Sequence, residues 1–285
     1  MDLPAGPYDG RDLPPAQECP MSVDHVLFPN RFKALAEVYA VGRPTYPRLL
    51  AQRVAELLDL DGTQDVLDLG TGPGFPALDF EPFARAVTGI DPEPEMLRVA
   101  RRSAERASVH INFVLGSSHD LSPAFGRFRL VTIGRAFHWM DRARTLQILD
   151  SLIEPGGGVA LFSESYPPVA ANAWHDAFER TVDSYATHDP ARERLAAHKD
   201  HEAILQQSAF AHLERIAVLE PRRTTLNHMV DRALSFAKAW QGRAGSRRDD
   251  LAADVHAVLA PYAIDGAIDE VLEGTALIAR RPAEI

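Results

Sequence analysis

Cysteine is almost missing: Cys19 stands alone among 285 residues. No disulfide can form within the chain, and a cysteine-built metal site is excluded. Positive charge is also in short supply. Thirty Lys and Arg face 40 Asp and Glu, for a formal net charge of -10. Phosphate neutralisation, which drives binding to nucleic acid, is therefore a poor basis for this chain's partners. The pairs Arg222-Arg223 and Arg247-Arg248 read as solvated surface, not as a phosphate track. No apolar run is long enough for a membrane span. No basic-plus-apolar leader stands out either. The expectation is a soluble, cytoplasmic protein with neither nucleic acid nor membrane as partner. There is no G-x-S-x-G or Walker pattern, no internal repeat, and no carboxylate pair that can be assigned to a site.

What the chain does have is 46 % hydrophobic residues, enough for a sizeable core in one large domain. Its organising stretch is Val66-Leu67-Asp68-Leu69-Gly70-Thr71-Gly72-Pro73-Gly74. Val66, Leu67 and Leu69 make a short buried strand that runs into a glycine-rich turn. Glycines there let the backbone bend and approach a ligand closely. Such a turn after a first parallel strand is where doubly wound α/β folds bind nucleotides, with an acid about 20 residues on for the ribose. Asp91 stands at that place, after the strand-like Ala86-Val87-Thr88-Gly89-Ile90. The glycine spacing is G-x-G-x-G. The third glycine of a dinucleotide fingerprint is replaced by Phe75.

A strand ending in LDLGTGPG, with Asp91 after the next strand, resembles the class I S-adenosylmethionine (SAM) methyltransferases. The resemblance implies an α/β fold: a Rossmann-like, seven-stranded, mostly parallel sheet with helices on both faces. It also implies SAM as cofactor, held by Asp68, Gly70, Thr71, Gly72, Gly74, Asp91 and Pro92. A ligand without phosphates needs only a turn that cradles a ribose and an amino-acid tail.

The rest of the chain is read in five segments, numbered by residue. Residues 1–30 are rich in proline and read as a flexible arm, with a lid or a dimer-swapped arm as the alternative. Residues 31–60 form an N-terminal helical lid, 61–165 the cofactor-binding core, 166–212 a helical cap inserted after strand five, and 213–285 the remainder of the core. In the lid, Tyr39-Ala40-Val41-Gly42-Arg43-Pro44-Thr45-Tyr46-Pro47 is similar to the segment that folds over the cofactor in a small-molecule branch that includes trans-aconitate methyltransferase-like proteins. That similarity makes Tyr39 and Arg43 candidates for substrate contact, and an arginine fork suits a carboxylate. The alternative is that both residues only pack and cap a turn.

Strands are expected at 109–115, 128–133, 159–163, 213–219 and 274–280, the last of them antiparallel. Met96 is a candidate for the adenine edge or for the core. Ser118 and His119 follow the third strand, where the family contacts adenine, and Asp120 caps the next turn. After the fourth strand, Gly134-Arg135-Ala136-Phe137-His138-Trp139 resembles the loop beside the reacting methyl in the same branch. Ala136 is then a cofactor neighbour and Trp139 an acceptor neighbour. His138 is the candidate general base, since imidazole titrates near neutrality. The competing role for His138 is to shape the pocket. Trp174 in the cap either faces the acceptor or packs. His175, His188, His198 and His201 show no tight cluster with a carboxylate, so no metal site is assigned.

The reading is a SAM-dependent methyltransferase acting on an O, N or C nucleophile of a small molecule, in specialised metabolism, with a homodimer among the assemblies to test. An NAD(P)-dependent oxidoreductase and a SAM-binding protein without methyl transfer are the alternatives. No N-P-P-Y-type sequence is present, which counts against adenine or glutamine amides as acceptors.

Overall fold

The structure is a computed structural model that describes residues 35–186, 200–236 and 247–282. The proline-rich arm, Phe32, Cys19, His188 and His198 lie outside the described residues.

The hydrophobic run of β1 (Asp65–Leu69) seeds the sheet. Alternate side chains of a strand point to opposite faces, and here both faces are covered. Leu67 and Leu69 enter one apolar cluster, while Val66 enters the other. β4 (Phe128–Gly134) and β5 (Ile153–Ser165) divide their side chains in the same way, Val159 and Leu161 against Ala160 and Phe162. Strands buried on both faces are what parallel sheets with crossover helices require. β2 (Ala86–Asp91) and β3 (Asn112–Leu115) extend the sheet on one side. β6 (His212–Thr225) and β7 (Ala267–Arg280) extend it on the other. The strand order is β3-β2-β1-β4-β5-β7-β6, with β7 antiparallel to both neighbours.

α1 (Ala36–Gly42) and α2 (Arg48–Leu57) precede β1. α2, α3 (Phe75–Phe80) and α4 (Pro94–Ala107) cover one face through Leu50, Val54, Phe80 and Ala104. α5 (Arg142–Leu152) covers the other through Leu146, Leu149 and Leu152, joined by Leu205 of α7 (His201–Gln206). α6 (His175–Ser184) builds a third cluster with α8 (Leu226–Leu234) and α9 (Arg248–Leu259).

Several expectations shift: β5 begins at Ile153 instead of 159, and β7 at Ala267 instead of 274. The cap is not confined to the insertion after β5. Trp174, Phe178 and Val182 pack against Met229, Ala233, Leu251 and Val255, so helices that follow β6 complete it. β6 also runs on past Leu219 through Pro221, to Thr225. β6 is an edge strand, where proline's missing N–H costs no ladder bond.

Candidate active site

The strand order reverses between the parallel neighbours β1 and β4, which leaves a crevice at the strands' carboxyl ends. A cavity of about 330 Å³ lies there. The turn after β1 is shaped by three glycines with positive φ: Gly70 at 70°, Gly72 at 53° and Gly74 at 91°. Side chains other than glycine rarely adopt that region. Gly70 also has no room: a Cβ would stand 2.6 Å from Ala136 Cβ. The turn is tied to β2, since Gly70 N and Thr71 N donate to Ile90 O at 2.8 and 2.9 Å.

Asp91 ends β2 with its carboxylate already aimed. Gly72 N donates to Oδ2 at 2.8 Å and Glu93 N donates to Oδ1 at 2.9 Å. Each oxygen keeps a further lone pair for a ligand hydroxyl. Burial raises the Asp91 pKa to about 6, against the lowering pull of those two backbone donors. Asp68 lies beneath the turn, fully buried, not in the cavity wall. It accepts from Thr71 Oγ1 at 2.5 Å, Thr132 Oγ1 at 2.7 Å and Ala77 N at 3.3 Å. Its pKa is likewise pushed up to about 6 by burial, partly offset by those hydrogen bonds. Asp68 therefore braces the turn. Gly74 is also outside the cavity wall, as the residue that caps α3.

At the far end of the turn, Pro92, Met96, Ser118 and His119 line the cavity. Ser118 is buried and its Oγ accepts from Thr145 Oγ1 at 3.0 Å. Asp120 Oδ2 holds the loop by accepting from Ser117 N at 2.7 Å and Ser117 Oγ at 2.8 Å.

Across the cavity, residues 137–139 form a 3₁₀ turn. Phe137 anchors it in the core, and Asp141 caps α5 by accepting from Arg144 N at 3.1 Å. His138 and Trp139 line the cavity together with Ala136, their rings 4.8 Å apart. Tyr39 and Arg43 reach the cavity from the lid.

Trp174 does not line this cavity. It is 1 % exposed in the third cluster, edge-on to Tyr166 and Phe178. Of the two roles read for Trp174, its burial fits packing: a large ring at the start of α6 lies in the cap's core.

Sequence reasoning missed Glu93, Tyr46, Phe75 and Arg135, all of which line the cavity. Arg135 sat inside a string already singled out, and Glu93 two residues past Asp91, so position was the available signal. Among the described residues, no group of three His, Cys, Asp or Glu is placed to hold a metal. None of their helices is long and apolar enough to cross a membrane.

Comparison with known proteins matches residues 66–157 to a family described as a methyltransferase domain. An uncharacterised methyltransferase of Mycobacterium tuberculosis is 29 % identical over 130 residues, which are 46 % of this chain and 50 % of that protein. The chain thus spans about half the length of the curated relatives it matches. A structure from Anaeromyxobacter dehalogenans, named as a candidate type II methyltransferase, aligns at a TM-score of 0.59 and 18 % identity, covering 84 % of this chain and 97 % of that one. A SAM-dependent methyltransferase from Thiobacillus denitrificans, in complex with S-adenosyl-L-homocysteine, aligns at 0.52 and 15 % identity, covering 90 % and 99 %.

Proposed function

We propose, on the premise that residues 66–157 form a class I SAM-dependent methyltransferase domain, that the chain transfers a methyl group from SAM to a nucleophilic O, N or C atom of a small molecule. The observation that carries this is the Asp91 carboxylate, fixed by Gly72 N and Glu93 N at the lip of a G-x-G turn. That arrangement suits the two hydroxyls of a ribose. Phe75 weighs against a dinucleotide, because it lines the cavity where the third glycine of that fingerprint would stand.

The residues fit the cofactor in three parts. Asp91 would hold the ribose, Pro92, Met96, Ser118 and His119 would flank the base, and Gly70, Thr71 and Gly72 would take the amino-acid tail; all of them line the cavity. The cofactor supplies an electrophilic sulfonium methyl. The chain's own task is to align the nucleophile behind that methyl and to keep water out. Holding two reactants in attack geometry contributes about 7–11 kcal/mol of barrier lowering. The rings of Tyr39, Tyr46, Phe75 and Trp139 make the walls that exclude water. For a hydroxyl acceptor, His138 takes the proton, as the one imidazole on the 3₁₀ turn facing the cavity.

A cavity of this size and a net charge of -10 support a small acceptor over nucleic acid. Location in the cytoplasm, a role in specialised metabolism and a homodimer are parts of the same reading. Light scattering of the purified chain tests the last. Calorimetric titration with S-adenosylhomocysteine, with NADH and NADPH as controls, tests the cofactor. One-site binding of the homocysteine compound, followed by labelled-methyl transfer in an acceptor screen, is the expected result. Preference for a nicotinamide would sink the reading. Cofactor binding with no methylated product across a broad screen would leave a SAM-binding protein of another activity.

A further inference from the structure

The lid end of the cavity holds a charge arrangement that the reading above does not use. Arg43, from the lid, and Arg135, from the end of β4, both line the cavity. Both turn toward one carboxylate, Glu164 of β5, which does not line it. The two contacts are unequal. Arg135 Nη1 lies 2.8 Å from Glu164 Oε1 and also donates to Pro44 O at 3.2 Å. Arg43 Nη1 lies 3.8 Å from the same oxygen, beyond hydrogen-bond reach. Arg43 Nε is buried and has no hydrogen-bond partner among the described residues.

Arg135 is committed to its place. Its φ is 55°, a left-handed conformation for a side chain that is not glycine. Such backbone persists only where the surroundings over-determine it. Here the Tyr46 and Phe75 rings pack on its guanidinium, at 5.0 and 5.4 Å. Arg43 is less tightly tied, its guanidinium carbon 4.0 Å over the Phe236 ring and 5.1 Å from the Tyr39 ring. Stacking on ring faces leaves the edge of a guanidinium, with its N–H groups, available for a planar anion.

Two guanidinium groups share one carboxylate, and all three side chains are only 11–16 % exposed. One positive charge is left over in a poorly solvated wall. The acids that line the cavity, Asp91 and Glu93, stand at the carboxyl end of β2 and just after it.

We propose that Glu164 is an internal stand-in for a ligand carboxylate: Arg135 keeps it, while Arg43 exchanges it for the carboxylate of a molecule bound in the cavity. This rests on the cofactor reading above and deepens it. The carboxylate comes either from the cofactor's amino-acid tail or from the acceptor, and one set of titrations separates the two.

The probes are S-adenosylhomocysteine and methylthioadenosine, which keeps the nucleoside and thioether but has no amino-acid tail. They are titrated into the full chain, its Arg43→Gln variant and its Glu164→Gln variant. A cofactor-borne carboxylate predicts that Arg43→Gln weakens S-adenosylhomocysteine by about thirtyfold or more, as for removal of one partner of a buried charge pair. Methylthioadenosine then binds all three proteins within twofold, which also shows that they are folded. Glu164→Gln removes the competing carboxylate and tightens S-adenosylhomocysteine, while lowering the melting temperature of the free protein. An acceptor-borne carboxylate predicts unchanged S-adenosylhomocysteine affinity in Arg43→Gln. Benzoate, followed by saturation-transfer NMR, then binds the S-adenosylhomocysteine-loaded wild type, benzyl alcohol does not, and Arg43→Gln abolishes the benzoate signal. Equal losses for both nucleosides in Arg43→Gln reduce Arg43 to packing and overturn the proposal. So does an Arg43→Gln variant that matches wild type toward all four probes. A wild type that binds neither nucleoside overturns the cofactor reading and this inference with it.

Discussion

The two ends of the cavity are built on different length scales. At the β1–β2 end, most contacts that set the geometry are short in sequence, the exception being Asp68, which also accepts from Thr132 Oγ1 64 residues on. Asp68 reaches Thr71 three residues on and Ala77 nine residues on, and Asp91 reaches back 19 residues to Gly72. At the lid end, Arg135 donates to Pro44 O across 91 residues, and Tyr46 Oη donates to Phe162 O across 116. A strand, a glycine turn and the next strand make the first end almost by themselves. The second end exists only once the lid, β4, β5 and the cap have all met. On the proposed reading, ribose recognition belongs to a nearly local supersecondary unit, whereas whatever binds at the lid end is recognised by the whole tertiary fold.

Variants at the two ends sharpen that contrast. The largest effect is expected on the chemistry side. If His138 takes a proton, His138→Ala lowers kcat by about 10²–10⁴-fold. S-adenosylhomocysteine affinity, read by calorimetry, then stays within threefold. Equal losses in turnover and affinity assign His138 to pocket shape instead, and would blur the division between the ends. Next comes Asp91→Ala. Hydrogen bonds to a charged group contribute about 1.5–3 kcal/mol each. Loss of two to a ribose predicts roughly a hundredfold weaker S-adenosylhomocysteine binding or more. Catalysis at saturating cofactor should suffer much less.

A smaller effect follows from pH. Asp91 titrates at about 6 in the folded chain, because burial disfavours its charged form. Only the carboxylate accepts from both ribose hydroxyls. S-adenosylhomocysteine affinity is therefore expected to be flat above about pH 6, and to fall by about tenfold per unit below it. Asp91→Asn should remove that slope. Stability runs the other way. A carboxyl whose folded pKa is raised from 3.8 to about 6 binds more protons folded than unfolded between those values, so this group's contribution falls as pH rises from about 4 to about 6. Calorimetric melts across that window check the sign. An affinity that declined instead on the alkaline side would remove Asp91 from the cofactor site.

The same difference in scale decides what could be read from the residues alone. The β1 run, the three glycines and Asp91 are legible because each is fixed by backbone geometry within one strand-turn-strand unit. The central strands β1, β4 and β5 are legible because both faces of the sheet are covered there, which makes their apolar runs nearly continuous. From the residues alone β6 ends at Leu219, since edge position is what makes Pro221 acceptable and edge position is not a local property. Arg135 gave no signal of its own. Its value comes from Pro44, Glu164 and two aromatic rings, none of them near it in sequence. The cap was placed after β5, but its apolar partners come from helices 40 and more residues later, at Met229 and Val255.

Trp174 is the position where the contrast is most easily broken, and the smallest effect is expected there. Its indole Nε1 is buried and has no hydrogen-bond partner among the described residues. Trp174→Phe therefore gives up no hydrogen bond to them, and it keeps an aromatic ring against Tyr166 and Phe178. The loss is part of one ring's packing, so the melting temperature should drop by a few degrees or less. S-adenosylhomocysteine affinity and the acceptor KM should both stay within twofold. Trp174→Ala is different in kind, since emptying a large buried aromatic site costs about 3–5 kcal/mol. A tenfold rise in acceptor KM for Trp174→Phe, with melting and cofactor affinity unmoved, would show the indole reaching the acceptor after all. The acceptor pocket would then extend past Glu164 into the cap, and the apolar cluster around α6 would be part of the site instead of its support.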